Sequence, residues 1–151
     1  MRKSLTYSAC FVLALLAVPV AAQEDPKPNL TGTWQLDSAK SEFKSAKVAS
    51  ATWVIQEGDN SIQLTESEGG RAKKFELKCT TDGKECQASG DKTRASFWYN
   101  GAILVEMETK GDRVTRYRLT VSADGKTLTV TTTHIVPQDD RTDTMVFSKQ
   151  S

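Results

Sequence analysis

The residues whose types could support chemistry are few and scattered along this chain of 151 residues. His134 is its sole histidine, and a general base needs an orienting partner and a nucleophile within reach. No local motif marks either group, and no Gly-x-Ser-x-Gly sequence provides a serine nucleophile. We therefore predict that the protein is not an enzyme, that it needs no cofactor and that His134 is a structural or rim residue.

Metal-ligand patterns are also absent from the sequence. Asp139, Asp140 and Asp143 lack the spacing and the closing glutamate of a calcium loop. Two cysteines with six residues between them and one distant histidine do not make a four-ligand zinc site. We expect a solvated loop after Pro137 and no metal.

The N-terminus is typical of a secretory signal peptide. Arg2 and Lys3 precede the apolar run Cys10–Val20, and small residues follow up to Ala22. The run is shorter than the ~20 residues of a membrane-spanning helix, so we predict no membrane span. Residues 1–22 are the predicted signal peptide, and cleavage near Ala22 leaves a periplasmic or extracellular protein.

The chain after residue 22 suits an extended leader, 23–29, and a single domain, 30–151. Its 18 basic and 19 acidic residues give no basic excess, which disfavours nucleic acid as a partner. The two cysteines left, Cys79 and Cys86, form an even number in an exported chain and predict a disulfide. It would close a hairpin with Asp82-Gly83 at the tip.

Short alternating segments separated by turn residues organise the rest of the sequence. They predict an all-β fold, an antiparallel up-and-down meander of about 8–10 strands closed into a small barrel, because closure removes exposed sheet edges. At most one short helix fits, in Ser38–Lys47 after the first strand. The predicted strands are Leu30–Asp37, Ser50–Gln56, Ser61–Glu66, Ala72–Cys79, Thr93–Tyr99, Ala102–Thr109, Val114–Val121, Thr127–Val136 and Thr142–Ser148.

Two motifs carry a resemblance to a known group. The segment Gly32–Phe43 follows a Gly-Thr-Trp-x-Leu-Asp-x-x-Lys-Ser-x-Phe pattern, and Ser122–Val130 follows Ser-x-Asp-Gly-Lys-x-Leu-Thr-Val. Both resemble small exported lipocalin-like proteins of bacteria, within the lipocalin and fatty-acid-binding-protein superfamily. The resemblance implies that Trp34 closes the base of the barrel. It also implies a cation from the end of the chain over that ring, for which Arg141 and Lys149 are the candidates.

The same resemblance implies a binding protein for a small apolar or amphipathic ligand inside the barrel. The predicted ligand-binding residues are the inward aromatic side chains Trp34, Trp53, Phe75, Phe97, Tyr99 and Tyr117. A barrel filled by its own side chains is the alternative, because the C-terminal helix of true lipocalins is missing.

Other interpretations stay open at this point. A protein partner is one, for example a protease inhibited by the leader Gln23–Leu30, and a ligand-free structural envelope protein is another. Arg116 and Arg118 share one face, which is either a solvated outer face with Glu106 or another acid nearby, or an inner face that holds a ligand carboxylate. Trp98 points away from the predicted interior and is either exposed or covered by a loop.

Overall fold

Ten β-strands account for most of the folded chain. The computed structural model describes residues 26–45, 47–69, 71–139 and 141–151, and for 71–74 the backbone alone. Its strands are β1 (Gly32–Leu36), β2 (Ala51–Gly58), β3 (Ser61–Glu68), β4 (Arg71–Thr80), β5 (Asp82–Gln87), β6 (Arg94–Asn100), β7 (Ile103–Lys110), β8 (Arg113–Val121), β9 (Thr127–Val136) and β10 (Thr142–Lys149). The predicted signal peptide and residues 23–25 of the predicted leader lie outside the described residues.

Alternation of apolar and polar residues gives each strand its inner face. In β9, Leu128, Val130 and Thr132 are buried, whereas the threonines between them are partly exposed. Successive side chains of a strand point to opposite sides of the sheet, so one face of β9 is apolar and the other is solvated. The same alternation in the other strands lines the interior.

Antiparallel pairing joins neighbouring strands into one sheet of ten. The order across the sheet is β4-β3-β2-β1-β10-β9-β8-β7-β6-β5, so the first strand also pairs with the last. Trp34 lies opposite Lys149 and Leu36 opposite Phe147 at this junction. The sheet curves into a nearly closed up-and-down barrel, which confirms the predicted fold class.

The barrel has a seam between β4 and β5, which stand at the two ends of the sheet order. Among the described residues, a disulfide and a backbone bridge link the two edges of the seam. The predicted Cys79–Cys86 disulfide is present, with its Cα atoms 5.5 Å apart. An isolated bridge is the second link, in which the N–H of Ser89 donates to the carbonyl of Glu76 at 2.8 Å.

Strand β5 is the one strand that the sequence patterns did not predict. Asp82 and Gly83, expected at a hairpin tip, begin this strand instead, and Asp82 lies opposite Trp98 of β6. All of its side chains except that of Cys86 are exposed. An edge strand with no buried face carries no apolar alternation for a sequence pattern to detect. Trp98 is partly buried on the outer face.

The segment between β1 and β2 is extended where the sequence allowed a short helix. Ser38–Lys40 make a turn whose amides at Ala39 and Lys40 donate to the Asp37 carboxylate. Glu42 then forms a bridge with Thr144 of β10. No α-helix occurs in the described ranges, and none there is long and apolar enough to cross a membrane.

Trp34 closes the base of the barrel, the role that the sequence resemblance implied. Its side chain is fully buried, and its indole N–H donates to the carbonyl of Leu30 at 2.8 Å. Lys149 is the cation over the ring, with Nζ 5.1 Å from the ring centroid. Gly32 makes room for it, because a Cβ added there would come within 2.6 Å of Lys149 Cε.

The described part of the leader is tied to the same end. The N–H of Leu30 donates to the Glu57 carboxylate at 2.6 Å, and the Tyr99 hydroxyl donates to the other oxygen of that carboxylate. Lys27 lies over the Tyr99 ring at 5.0 Å from its centroid. These contacts hold the start of the described chain against the base of the barrel.

Replacement of both cysteines by alanine tests the seam. The disulfide closes a ring of eight residues, and the loss of this constraint on the unfolded chain lowers the free energy of unfolding by about 2.5 kcal/mol. Urea unfolding of Cys79→Ala/Cys86→Ala and wild type measures the difference. Reducing agent should destabilise the wild type and leave the variant unchanged, and equal stability of the oxidised proteins would contradict the assigned role.

Replacement of Gly32 by alanine tests the packing of Lys149 over Trp34. We expect the free energy of unfolding to fall by about 2–3 kcal/mol, because the φ of 150° at Gly32 strains an alanine and the new methyl group displaces Lys149. Gly69→Ala is the matched control, because Gly69 also has positive φ and no atom stands within 4 Å of an added Cβ. Gly69→Ala should lower the free energy of unfolding by about 1 kcal/mol, and thermal unfolding measures both variants. Equal losses for the two variants would show that Lys149 is not constrained there.

Candidate functional site

The end of the barrel opposite Trp34 is hollow. A cavity of about 360 Å³, here called the main cavity, lies beneath the β3–β4, β5–β6 and β7–β8 connections. Its size falls within the ~300–1,000 Å³ typical of small-molecule sites. It is lined by Glu66, Glu68, Phe75, Ser89, Gly90, Asp91, Glu108, Lys110 and Tyr117.

A second hollow of about 390 Å³ adjoins it at the same end of the barrel. Glu108 and Lys110 line both spaces. His134 lines the second hollow and shares the inner face of β9 with Leu128 and Val130, as the sequence predicted. The prediction of a structural or rim position for His134 agrees with this placement.

Three carboxyl groups converge at the floor of the main cavity, where Glu66 and Glu108 belong to its lining and Glu106 lies beneath it. Glu66 lies opposite Trp53 and Phe75 in the neighbouring strands, and Glu106 lies opposite Phe97 and Tyr117. These aromatic partners are inward residues, so both glutamates occupy the inner face. Glu108 is two residues beyond Glu106 on β7, which places it on that face as well.

Burial makes these carboxyl groups hard to ionise. It raises the pKa of Glu66 to about 8, and the charges of Glu108 and Glu68 add to the effect. Burial and the charges of Glu66 and Glu108 raise the pKa of Glu106 well above its usual range. Burial also raises the pKa values of Glu108 and of the Tyr117 hydroxyl. Glu66 is therefore mostly protonated and neutral at pH 7.

Several buried polar atoms in this half have no hydrogen-bond partner among protein groups. They are Glu106 Oε1, Thr132 Oγ1 and Thr93 Oγ1, on side chains that are 1%, 7% and 0% exposed. Thr132 lies opposite Tyr117, which lines the main cavity. Buried polar groups in proteins are almost always hydrogen-bonded, so these atoms are available to water or to a bound molecule.

The six predicted ligand-binding aromatics lie at different heights in the barrel. Phe75 and Tyr117 line the main cavity. Trp53, whose ring stacks on Phe147 at 5.0 Å between centroids, and Phe97 are buried in the packed core. Trp34 and Tyr99 lie at the base. Contact of a ligand with any of the six stays a prediction, and the geometry favours Phe75 and Tyr117.

Arg116 and Arg118 occupy the outer face of β8. Arg116 lies opposite Met107 and Arg118 opposite Val105, whereas Tyr117 between them faces inward. The interpretation of the face shared by these two arginines as the outer face of the barrel is therefore correct. The position suggested for Glu106 beside them is wrong, because this residue is 1% exposed and inside the barrel.

The aspartates after Pro137 have structural partners. Asp139 binds the side chain of Arg141, and the carboxylate of Asp143 accepts the N–H groups of Lys44 and Ser45 at 2.6 and 3.0 Å. Asp140 lies outside the described residues. Across the described ranges, no group of three or more His, Cys, Asp and Glu side chains is arranged to hold a metal ion.

The interior glutamates are the residues that the sequence analysis missed. Glu106 follows Leu104 at a spacing of two, and Glu66 follows Leu64 in the same way. Because residues two apart on a strand lie on the same face, this spacing from a buried leucine indicates that both glutamates face the interior. It was outweighed by the rule that charged residues lie outside, which fails where a site requires buried acids.

Known structures with the same architecture share little sequence with this chain. Fatty-acid-binding protein 1 of Echinococcus granulosus is 13% identical, covers 81% of this chain and 98% of its own, and has a TM-score of 0.64. Secretory abundant heat soluble protein 4 of Ramazzottius varieornatus is 16% identical, with 86% and 100% coverage and a TM-score of 0.66. The REP1-NXSQ fatty acid transporter is 17% identical, with 81% and 96% coverage and a TM-score of 0.61.

These neighbours are fatty-acid-binding-protein-like, or calycin-like, β-barrels, and the likeness establishes the fold. No protein-family model matches the sequence, and the search of curated proteins gives no match. Function has to be inferred from the cavity itself.

Glu66→Gln tests whether the interior acids are shielded from solvent. The pKa of Glu66 is about 8 in the folded protein, compared with about 4.3 in an unfolded chain. The unfolded chain loses its proton first, so wild-type stability falls as the pH rises from about 4.5 to 8. The variant lacks this loss and should gain about 4 kcal/mol on the wild type between pH 5 and pH 9.

Urea unfolding across this pH range measures the effect. Glu76→Gln is the matched control, because Glu76 pairs with Lys78 at 3.2 Å outside the interior. Its profile should run parallel to that of the wild type. A parallel profile for Glu66→Gln as well would mean that the Glu66 carboxyl is solvated.

Proposed function

We propose that the protein is an exported binding protein that holds a small apolar or amphipathic molecule in the main cavity. The observation that carries the proposal is the division of the interior. The half near Trp34 is packed with fully buried side chains such as Phe97 and Phe147, whereas the other half encloses a cavity of about 360 Å³ with Phe75 and Tyr117 in its walls. A barrel that served only as a stable scaffold would gain nothing from this space.

The structural neighbours support the same class of function. Two of them are described as a fatty-acid-binding protein and a fatty acid transporter. Both descriptions concern binding or transport rather than catalysis, which supports a non-catalytic role here. The apolar walls and polar floor of the cavity suit a molecule that has an apolar body and one polar end.

Export is supported by two features of the chain. The basic and then apolar N-terminal sequence up to Ala22 is typical of a signal peptide. The Cys79–Cys86 disulfide suits an oxidising compartment, the periplasm or the extracellular space. N-terminal sequencing of the protein from its host should begin at Gln23, and a retained Met1 would contradict export.

Obstruction of the cavity tests the binding function. Ser89 lines the main cavity at the β5–β6 connection, so the indole of Ser89→Trp should fill its mouth. We expect the affinity for Nile red, a neutral apolar dye, to fall at least about tenfold through loss of apolar contact. Ala123→Trp is the matched control, because Ala123 is exposed in the β8–β9 turn at the opposite end.

Fluorescence titration measures both variants after unfolding experiments have shown that they are folded. The control should bind the dye as the wild type does. Unchanged dye binding by Ser89→Trp, or no binding by the wild type, would contradict the proposed site.

A further inference from the structure

The main cavity is acidic, and its described cations are already engaged. Glu66, Glu68 and Glu108 are among its lining residues. Lys110, which also lines it, forms an ion pair with Asp91 at 3.1 Å. Arg116 and Arg118 face outward, and no arginine is among the described residues that line the main cavity. A ligand carboxylate would therefore enter a space occupied by other carboxyl groups.

The floor also has unused hydrogen-bonding capacity. Glu106 is 99% buried, as its exposure of 1% shows, and its Oε1 atom has no protein partner. Thr132 adds a second such atom on the neighbouring inner face. A buried carboxyl group without a partner is costly, and a bound hydrogen-bond donor removes the cost.

We propose that the ligand of the main cavity carries a positively charged nitrogen, an ammonium or guanidinium group on an apolar body. This group binds between Glu66 and Glu108 of the cavity lining, above the buried Glu106. Phe75 and Tyr117 would contact the apolar body. Their rings also suit the charged end of such a ligand, because the faces of aromatic rings attract cations. This inference rests on the proposed binding function and specifies its ligand class.

The electrostatics of the empty site explain how it can tolerate three acids. Burial raises the pKa of Glu66 to about 8, so this residue is mostly protonated at pH 7, and burial shifts the pKa of Glu106 in the same direction, which reduces the repulsion between them. A bound cation stabilises the ionised form of a neighbouring carboxyl group. One carboxyl group then gives its proton to the solvent, and a carboxylate–ammonium pair forms in the interior.

Other titratable groups around the cavity modulate this step. Glu68 and Asp91 favour a cation in the same sense as the three floor acids, Lys110 opposes it, and the Tyr117 hydroxyl stays neutral because burial raises its pKa. From the second hollow, Arg113 and His134 face Glu108. Arg141 also lines that hollow but is paired with Asp139.

Three probes with the same apolar chain separate this inference from the binding function itself. Decylammonium, decanoate and 1-decanol are titrated into the wild-type protein at pH 7, where the first two are fully charged. We expect decylammonium to bind at least about tenfold more tightly than decanol, the effect of one charge-assisted hydrogen bond, and decanoate to bind more weakly than decanol. Calorimetry in phosphate and in Tris buffer should show proton release with decylammonium alone.

The outcomes are distinct. Equal binding of the three probes, or tighter binding of decanoate, would overturn the cationic ligand and leave the binding function standing. Failure of all three to bind would overturn both. Decylammonium binding without proton release would show that the acids are already ionised or not in contact, which also contradicts the inference.

Substitutions of single glutamates test where the charged group of the ligand binds. Glu66→Gln and Glu106→Gln keep the size of the side chain and should each reduce the preference for decylammonium over decanol about tenfold, with decanol binding as the check that the cavity is intact. Glu85→Gln is the matched control, because Glu85 is exposed on β5 and pairs with Arg94 at 3.0 Å. It changes the net charge equally and should leave the preference unchanged. If all three variants reduced the preference for decylammonium over decanol equally, this preference would come from the net charge of the protein. That result would contradict the proposed site.

Discussion

The pairing of the first strand with the last is the interaction on which the barrel depends. Between β1 and β10, Trp34, Gln35 and Leu36 lie opposite Lys149, Ser148 and Phe147. The strands β1–β4 and the strands β5–β10 form a continuous sheet only through this ladder. Because its two sides are more than a hundred residues apart, their union has a large entropic cost that nearby contacts must offset.

The contacts around the ladder supply that stabilisation. The buried Trp34 ring, the Lys149 cation above it and the hydrogen bond to Leu30 concentrate apolar and electrostatic interactions at one end of the barrel. Because this end is well packed, the opposite end can contain groups that lower the stability of the fold. Buried acids and a cavity are tolerable there because the stability of the fold comes from elsewhere.

The fold followed from the sequence to a large extent, and the site followed only in part. Strand alternation has a period of two, so it identifies which face a residue such as Phe97 or Phe75 occupies. It does not identify the height of that residue in the barrel, which depends on the register between strands. The sequence pattern therefore groups the six inward aromatics as one site, although Trp34 and Phe75 lie at opposite ends. The charge of Glu106 predicts an outer position, whereas its spacing of two from Leu104 predicts the buried position that it occupies.

The seam between β4 and β5 has a consequence for exchange with the surroundings. Elsewhere around the barrel, a molecule moving sideways into the interior would have to break a ladder of backbone hydrogen bonds. At the seam, the Glu76–Ser89 bridge is the only strand pairing among the described residues between the disulfide and the main cavity, whose lining includes Phe75, Ser89 and Gly90. Small outward movements of the two unpaired edges can therefore admit or release a molecule while the rest of the barrel stays intact, with the disulfide as the pivot. The rate of exchange would then be set by the fraying of two strand edges, independently of the strength with which the floor of the cavity holds its ligand.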